Sequence, residues 1–346
     1  MRIENFKPTE GNHCVTNSLK QIFEYNNYSI SEEMLFGIGA GLGFVYVNLK
    51  QSPMISCRIK PGEFEKNVAN QLDIKIKMKK PTSIKAGIKN LNRNLINNIP
   101  TMIYVDMAYL DYLNMNSSSH FGGHSIVVFG YDTEKKHYYV SDRDSALNKI
   151  HTPKGLVGKD YHLFSENKLI KAWSSSYRPF PANNKWVDFD FSNAKKIDNN
   201  ILKKSIEMNM FSMLNAPAYL LGIKGIYKFS KEIRKWEKYN AQKIKMAGIT
   251  NYFMINKDGG TGGGAFRKMY GNFLIEASDY IQRNEIGKFG KDVLVISDLW
   301  DEVGYYLFDL NINNIKHDIE KISEKISKIA EHEHEVYSKV LRTITA

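Results

Sequence analysis

Gly11-Asn12-His13-Cys14-Val15-Thr16-Asn17-Ser18-Leu19 is the stretch on which the reading of this chain turns. From Val15 onward the apolar residues Val15, Leu19, Ile22 and Phe23 recur at offsets of four, seven and eight, the stripe of a helix packed on one side. Cys14 then falls in the first turn, where unpaired amide groups carry partial positive charge and favour thiolate over thiol. A cysteine so placed reads as a nucleophile. Acyl chemistry at sulfur also needs a histidine to hold or pass the proton and a third group to orient the imidazole.

Gly122-Gly123-His124 supplies the histidine. It opens the apolar run Ser125-Ile126-Val127-Val128-Phe129-Gly130-Tyr131, and after the polar turn at 132–136 a second strand runs over His137-Tyr138-Tyr139-Val140-Ser141-Asp142. A hairpin symmetric about Glu134 sets Ile126 opposite Asp142 and His124 opposite Asp144, so both acids share the face that carries His124. Asp142 is the expected orienting group and Asp144 its reserve.

Around these residues the pattern is mixed α and β. A second helix starts at Ser31, with Glu32 and Glu33 favourable in its first turn, and stops before the glycine run 37–43. A strand at 44–47, a helix at 63–71, a strand at 74–78 and a helix at 83–97 follow. Pro100 then introduces a buried strand ending near Asp106. Composition changes at Pro179-Phe180-Pro181-Ala182-Asn183-Asn184, which reads as a linker. Two domains are expected, 1–180 with the cysteine chemistry and 181–346 mainly helical. The predicted helices of the second span 194–214, 226–245, 266–283 and 294–309. In the tail, Ile312, Ile315, Ile319, Ile322, Ile326 and Ile329 form a heptad seam that packs on neighbouring helices or on a second subunit as a homodimer.

Composition narrows the setting. The 346 residues are 42% hydrophobic and 25% charged, enough apolar material for a sizeable core. Residues 1–7 lack a signal-peptide pattern and no stretch of about twenty apolar residues occurs, so a membrane span is not expected. Two cysteines are too few for a disulfide framework, and a reducing cytoplasm is the expected location. A net charge of +11 suits an acidic partner, but no strand rich in aromatics and arginine resembles a nucleic-acid reading surface, and nucleic acid is not expected.

The segments His13-Cys14-Val15-Thr16-Asn17-Ser18-Leu19, 30–44, Gly123-His124-Ser125-Ile126-Val127-Val128 and Val140-Ser141-Asp142 together resemble the N-terminal domain of the butirosin biosynthesis protein H family. Gly262-Gly263-Gly264-Ala265-Phe266-Arg267-Lys268-Met269-Tyr270 and Trp300-Asp301 are similar to the helical domain that commonly follows it. The resemblance implies an α+β protein with a papain-like N-terminal domain and a helical C-terminal one. Its implied chemistry is acyl transfer from an acyl carrier protein or a small thioester donor to a small-molecule amine acceptor, with Cys14 as nucleophile, His124 as proton relay and Asp142 as orienter. Papain-like enzymes carry an oxyanion-donating glutamine about six residues before the cysteine, and here that position is Pro8. The Cys14 amide is then one donor, and Asn12, or His13, the second.

Other motifs are weaker. The glycine run 37–43 leaves a helix and enters a strand, the reverse of a dinucleotide fingerprint. The loop 258–264 lacks the Gly-Lys-Ser/Thr ending of a triphosphate loop, but its glycines before a helix, with Gly262, Gly263 and Arg267, form a candidate substrate contact. Glu331-His332-Glu333-His334-Glu335 lacks the second histidine of a zinc-peptidase motif. Neither a cofactor nor a metal is expected. Lys224, Lys228, Lys231, Lys235 and Lys238 recur at helical spacing and offer a docking face for an acidic carrier protein.

Overall fold

The computed structural model describes every residue except 50, 51, 61, 117, 118 and 179, so Pro179 of the expected linker lies outside the described residues. In chain order the first elements are α1 (Cys14–Tyr25), α2 (Glu32–Ile38), β1 (Leu42–Asn48), β2 (Pro53–Arg58), α3 (Glu63–Leu72), β3 (Lys75–Lys79) and α4 (Ile84–Ile96). Next come β4 (Thr101–Val105), β5 (His124–Asp132), β6 (His137–Ser141), β7 (Ile150–Thr152), β8 (Gly155–Val157), β9 (His162–Ser165), α5 (Glu166–Ser174) and β10 (Trp186–Asp190). The helices α6 (Asn199–Leu214), α7 (Gly222–Ile233), α8 (Ala241–Ile255), α9 (Arg267–Ile281), α10 (Asn284–Phe308) and α11 (Ile315–Thr345) complete the chain. Among the described residues no helix is long and apolar enough to cross a membrane.

The fold is α+β, and the chain divides into two compact units: Met1–Leu35 with Asp73–Ala194, and Phe36–Leu72 with Lys195–Ala346. A single cut at 180/181 therefore misplaces two segments. Strand β10 pairs antiparallel with β3 and β4 and so belongs to the first unit. Residues 36–72 leave the first unit to pack with the C-terminal helices.

In the first unit an antiparallel sheet runs in the order β3-β10-β4-β5-β6-β9. Every residue of β4 is buried, as the apolar run after Pro100 predicts. Helix α1 lays Val15, Leu19, Ile22 and Phe23 into this core, each nearly or wholly inaccessible. Removing such side chains from water is worth about 1.5–3 kcal/mol apiece. The Ser18 hydroxyl meets that of Ser125 at 3.1 Å, fixing the helix over β5. The result is the layout expected of a papain-like domain, a cysteine-bearing helix packed on an antiparallel sheet that carries the histidine.

The second unit is a β1–β2 hairpin wrapped by helices. Heptad residues Ile319, Ile322, Ile326 and Ile329 are buried within it, against α6, α7 and α10 as neighbours of α11, so the subunit itself consumes the central part of the seam expected at a dimer interface. The helix expected over 226–245 is two: α7 runs through a 3-10 turn to Lys238, and Asn240 then caps α8 by accepting the Lys243 amide at 2.9 Å. Lys224, Lys231, Lys235 and Lys238 stand exposed on the outer side of α7 and that turn, while Ile226, Phe229, Ile233 and Trp236 face inward. The glycine run is a packing device. A Cβ on Gly37 would sit 2.2 Å from the Phe273 ring, and one on Gly39 would meet Phe64 at 2.3 Å.

Candidate active site

Cys14 opens α1, partly exposed, with His13 as the N-cap residue in extended conformation. The hairpin brings His124 and Asp142 to it. Its strands pair Val127 with Ser141, the register that places Ile126 across from Asp142, and a bulge between Val128 and Gly130 reconciles this with the Asp132–His137 pairing at the turn. His124 Nε2 lies 2.8 Å from Asp142 Oδ2, both side chains almost wholly buried. His124 also lies beside the Cys14 thiol, close enough to stabilise its charge. With Nε2 committed to the acid, Nδ1 is the ring nitrogen left for sulfur.

The electrostatics follow from the geometry. Burial raises the Cys14 thiol, but the His13 and His124 imidazoles beside it override burial and hold it well below the usual thiol range. Burial opposes the charged form of His124, yet Asp142 and then the Cys14 sulfur raise its pKa to about 10. Asp142, despite burial, is lowered to about 2 by His124 and by the Arg143 amide, which donates to its Oδ1 at 2.7 Å. These directions favour a thiolate–imidazolium pair braced by a carboxylate. Cys57 is the contrast: it lies buried in the other unit, and burial pushes its thiol up to about 12.

Asp144, the reserve, is engaged elsewhere. Both its oxygens lie 3.0 Å from His162 Nε2. That pair supports the site indirectly, because Tyr112 stacks on the His162 ring at a centroid distance of 3.7 Å and donates its hydroxyl proton to Asp142 Oδ2 at 2.9 Å. Burial and the Asp142 charge raise the phenol well above its ordinary value, so it remains a donor. Nothing in the sequence marks Tyr112, which sits in the short 3-10 turn Asp111–Leu113 between strands. Losing a buried hydrogen bond to a charged group costs about 1.5–3 kcal/mol. Tyr112→Phe is expected to lower unfolding stability by roughly this amount in a denaturant titration; an unchanged midpoint would count against the contact.

Glu32 is the second residue that sequence alone undervalues. As a first-turn acid it reads as a dipole partner of α2. In the structure its buried carboxylate accepts the Asn12 amide at 2.6 Å, the Thr16 hydroxyl at 2.8 Å and the His13 amide at 3.4 Å, and so clamps the loop before Cys14. Burial raises its pKa to about 7 against these bonds. Asn12, the expected oxyanion donor, spends its backbone amide on Glu32 and turns its side-chain amide to Glu33 at 3.4 Å.

The expected substrate contact at Gly262, Gly263 and Arg267 has a different part. Arg267 is fully buried in the second unit, its Nε and Nη2 donating to Glu333 at 2.8 and 3.0 Å and its Nη1 to the carbonyls of Gly43, Cys57 and Ala265. The Gly263 amide donates to the Thr261 hydroxyl and the Gly264 amide to Asp301. The Gly263 and Gly264 amides are thus spent on the protein itself, and the charge read as anion-binding neutralises an internal glutamate. Among the described residues no group of three or more His, Cys, Asp or Glu side chains converges as a metal site.

Two family models match successive parts of the chain. Residues 13–143, which hold Cys14, His124 and Asp142, match the family described as butirosin biosynthesis protein H, N-terminal. Residues 167–340 match a domain of unknown function (DUF4872). No curated protein matches the sequence.

Proposed function

The chain belongs to the butirosin biosynthesis protein H N-terminal family, with the domain of unknown function (DUF4872) behind it, and from that premise we propose that it is a cysteine acyltransferase. The observation that carries this reading is the buried His124–Asp142 pair, bonded at 2.8 Å, beside a thiol at a helix N-terminus. The family description supports a biosynthetic setting of the butirosin type; the donor in this reading is an acyl thioester and the acceptor a small-molecule amine. The exposed lysines on and after α7 support an acidic carrier protein as the bearer of that thioester.

The chemistry proceeds in two halves. Thiolate Cys14 attacks the thioester carbonyl, the C–S bond to the donor breaks, and His124 gives its proton to the departing thiolate. Acylation also removes the sulfur charge that helped raise the His124 pKa, so the imidazole left behind is a competent base. The amine then attacks the acyl-enzyme, His124 takes the amine proton, and Cys14 leaves as thiolate. Thioester and amine have become thiol and amide, with the ion pair restored. Asp142 keeps its charge throughout and holds the ring.

Intact-mass measurement tests this. Wild-type protein mixed with a panel of acyl thioesters should gain one acyl group, which added amines discharge as amide. Discharge to free acid at the same rate with and without amine would instead mark a hydrolase, and no adduct from any donor would refute the acyl-enzyme.

Thiolate character gives a separate prediction. Because the Cys14 pKa is depressed, alkylation by iodoacetamide should reach its plateau at a pH well below that of an ordinary thiol and decline as pH falls through that depressed value. A change on the alkaline side is expected near pH 10, where His124 loses its proton. Cys57 should stay unlabelled in the folded protein. Equal labelling of both cysteines, rising together at high pH, would overturn the thiolate assignment.

A further inference from the structure

We propose that Tyr112 is a positioning residue for His124: sharing Asp142 Oδ2 with the imidazole, it fixes the carboxylate and limits how tightly that acid holds the ring proton. The observation is a shared oxygen. His124 Nε2 lies 2.8 Å from Asp142 Oδ2, and the Tyr112 hydroxyl donates to the same atom at 2.9 Å. The other oxygen, Oδ1, accepts the Arg143 amide at 2.7 Å. A carboxylate bonded through both oxygens cannot turn about its Cβ–Cγ bond without breaking one of these contacts, so Oδ2 stays presented to the ring. Each donor also draws charge from the oxygen it touches, which leaves a weaker partner for the imidazolium.

The phenol is itself held. Its ring stacks on His162 at a centroid distance of 3.7 Å and an interplanar angle of 13°, with Phe164 edge-on at 6.3 Å. Both oxygens of Asp144 lie 3.0 Å from His162 Nε2, and the Lys159 amide donates to Asp144 Oδ2 at 2.9 Å. The His162 and Asp144 side chains are buried, the acid completely. A second carboxylate–imidazole pair, with no place in the acyl chemistry, thus forms the surface on which Tyr112 packs. The titratable and charged groups around His124 and its acid are Cys14 on α1, Tyr112 in its 3-10 turn, and Asp142 and Arg143 after β6. For the acyl transfer proposed above, on which this consequence rests, the result is a base able to release its proton. An imidazole bound to an unshared carboxylate would hold that proton more firmly and pass it more slowly to the departing thiolate. No bond is made or broken at Tyr112.

The test removes one hydroxyl and reads His124. Tyr112→Phe keeps the ring and its stack, and a Cys14→Ala background takes away the sulfur charge, so that His124 answers chiefly to Asp142. In that background the His124 ring-nitrogen resonances, followed by NMR against pH, should titrate about 0.5–1 pH unit higher once Tyr112→Phe is added. The sign follows from the charge: with one donor gone, Oδ2 is more negative and stabilises the imidazolium further. With Cys14 intact, the pH at which amine discharge of the acyl-enzyme is half-maximal should rise by the same amount. A merely structural Tyr112 would change the unfolding midpoint alone, so a His124 titration that stays in place or moves down overturns the inference. The NMR comparison needs no acyl donor. A shifted His124 in a protein that no thioester acylates would refute the acyl-transfer reading and leave the role of Tyr112 standing. Should Tyr112→Phe fail to fold, a carbon-13 label at Tyr112 Cζ of the Cys14→Ala protein provides the readout. Its resonance should follow the His124 titration through the shared oxygen, and an unmoved Cζ would reject the assignment.

Discussion

Cys14→Ala should take up no acyl group from any thioester and lose turnover by at least about 10⁴-fold, about 5.5 kcal/mol of transition-state stabilisation. The size follows from what the substitution removes. The depressed thiol, the His124 ion pair and the helix N-terminus all act through one sulfur atom, so no remaining group can take over its covalent role. His124→Ala should approach the same loss, because nucleophile and base act as a unit and their effects do not add. Steady-state amide formation, with mass analysis for the adduct, checks both. A Cys14→Ala protein that retained more than a hundredth of wild-type transfer would mean the reaction does not pass through this residue.

The largest stability effect is expected far from that chemistry, at Glu333. Its carboxylate is fully buried and takes two hydrogen bonds from Arg267 and a third from Trp300 Nε1 at 2.7 Å. Glu333→Ala leaves a guanidinium in the interior with its main counter-charge gone, a change that costs about 3–5 kcal/mol. Against a typical total of about 5–15 kcal/mol, that is a large fraction of the stability. Replacing Arg267 and Glu333 together by Met and Leu should recover most of the loss, because the cost lies in the uncompensated charge. Denaturant titration followed through Trp300 fluorescence measures both. A single Glu333→Ala variant within 1 kcal/mol of wild type would show that water or another group satisfies Arg267.

What could be read from sequence was local. The α1 stripe and the polar turn at 132–136 each fix geometry within about twenty residues, and together they located Cys14 against His124 and Asp142. The β5–β6 register survives a bulge that the alternation of side chains does not reveal, since the extra residue lies on the turn side of Val128. Long-range pairing was not legible. Strand β10 follows the proline and asparagine linker at 179–184 and reads as part of a mainly helical domain until β3 and β4 claim it. Gly43 and Cys57 give no sign that their carbonyls accept from Arg267, more than two hundred residues away. His13, Glu32 and Tyr112 act through hydrogen bonds that periodicity does not encode: a residue type can announce a donor, but only the fold supplies its acceptor.

The bonds from Arg267 to the carbonyls of Gly43 and Cys57, and to Glu333, also set a timetable. The first unit has all its strands once β10 has been made, with residues 36–72 looped out of it. Those residues, carrying Phe44, Ile55 and Phe64 destined for burial, have no core to join until α6, α7 and α8 are translated, since β1 packs with α6 and α7, β2 with α8 and α3 with α6. Helix α8 ends at Ile255, about 200 residues after Cys57. At 5–20 residues per second the β1–β2 hairpin waits roughly 10–40 s on the ribosome for its helical partners. The segment most in need of chaperone cover during synthesis is therefore an early one, and a stalled or truncated chain can release a finished first unit trailing an exposed, adhesive loop.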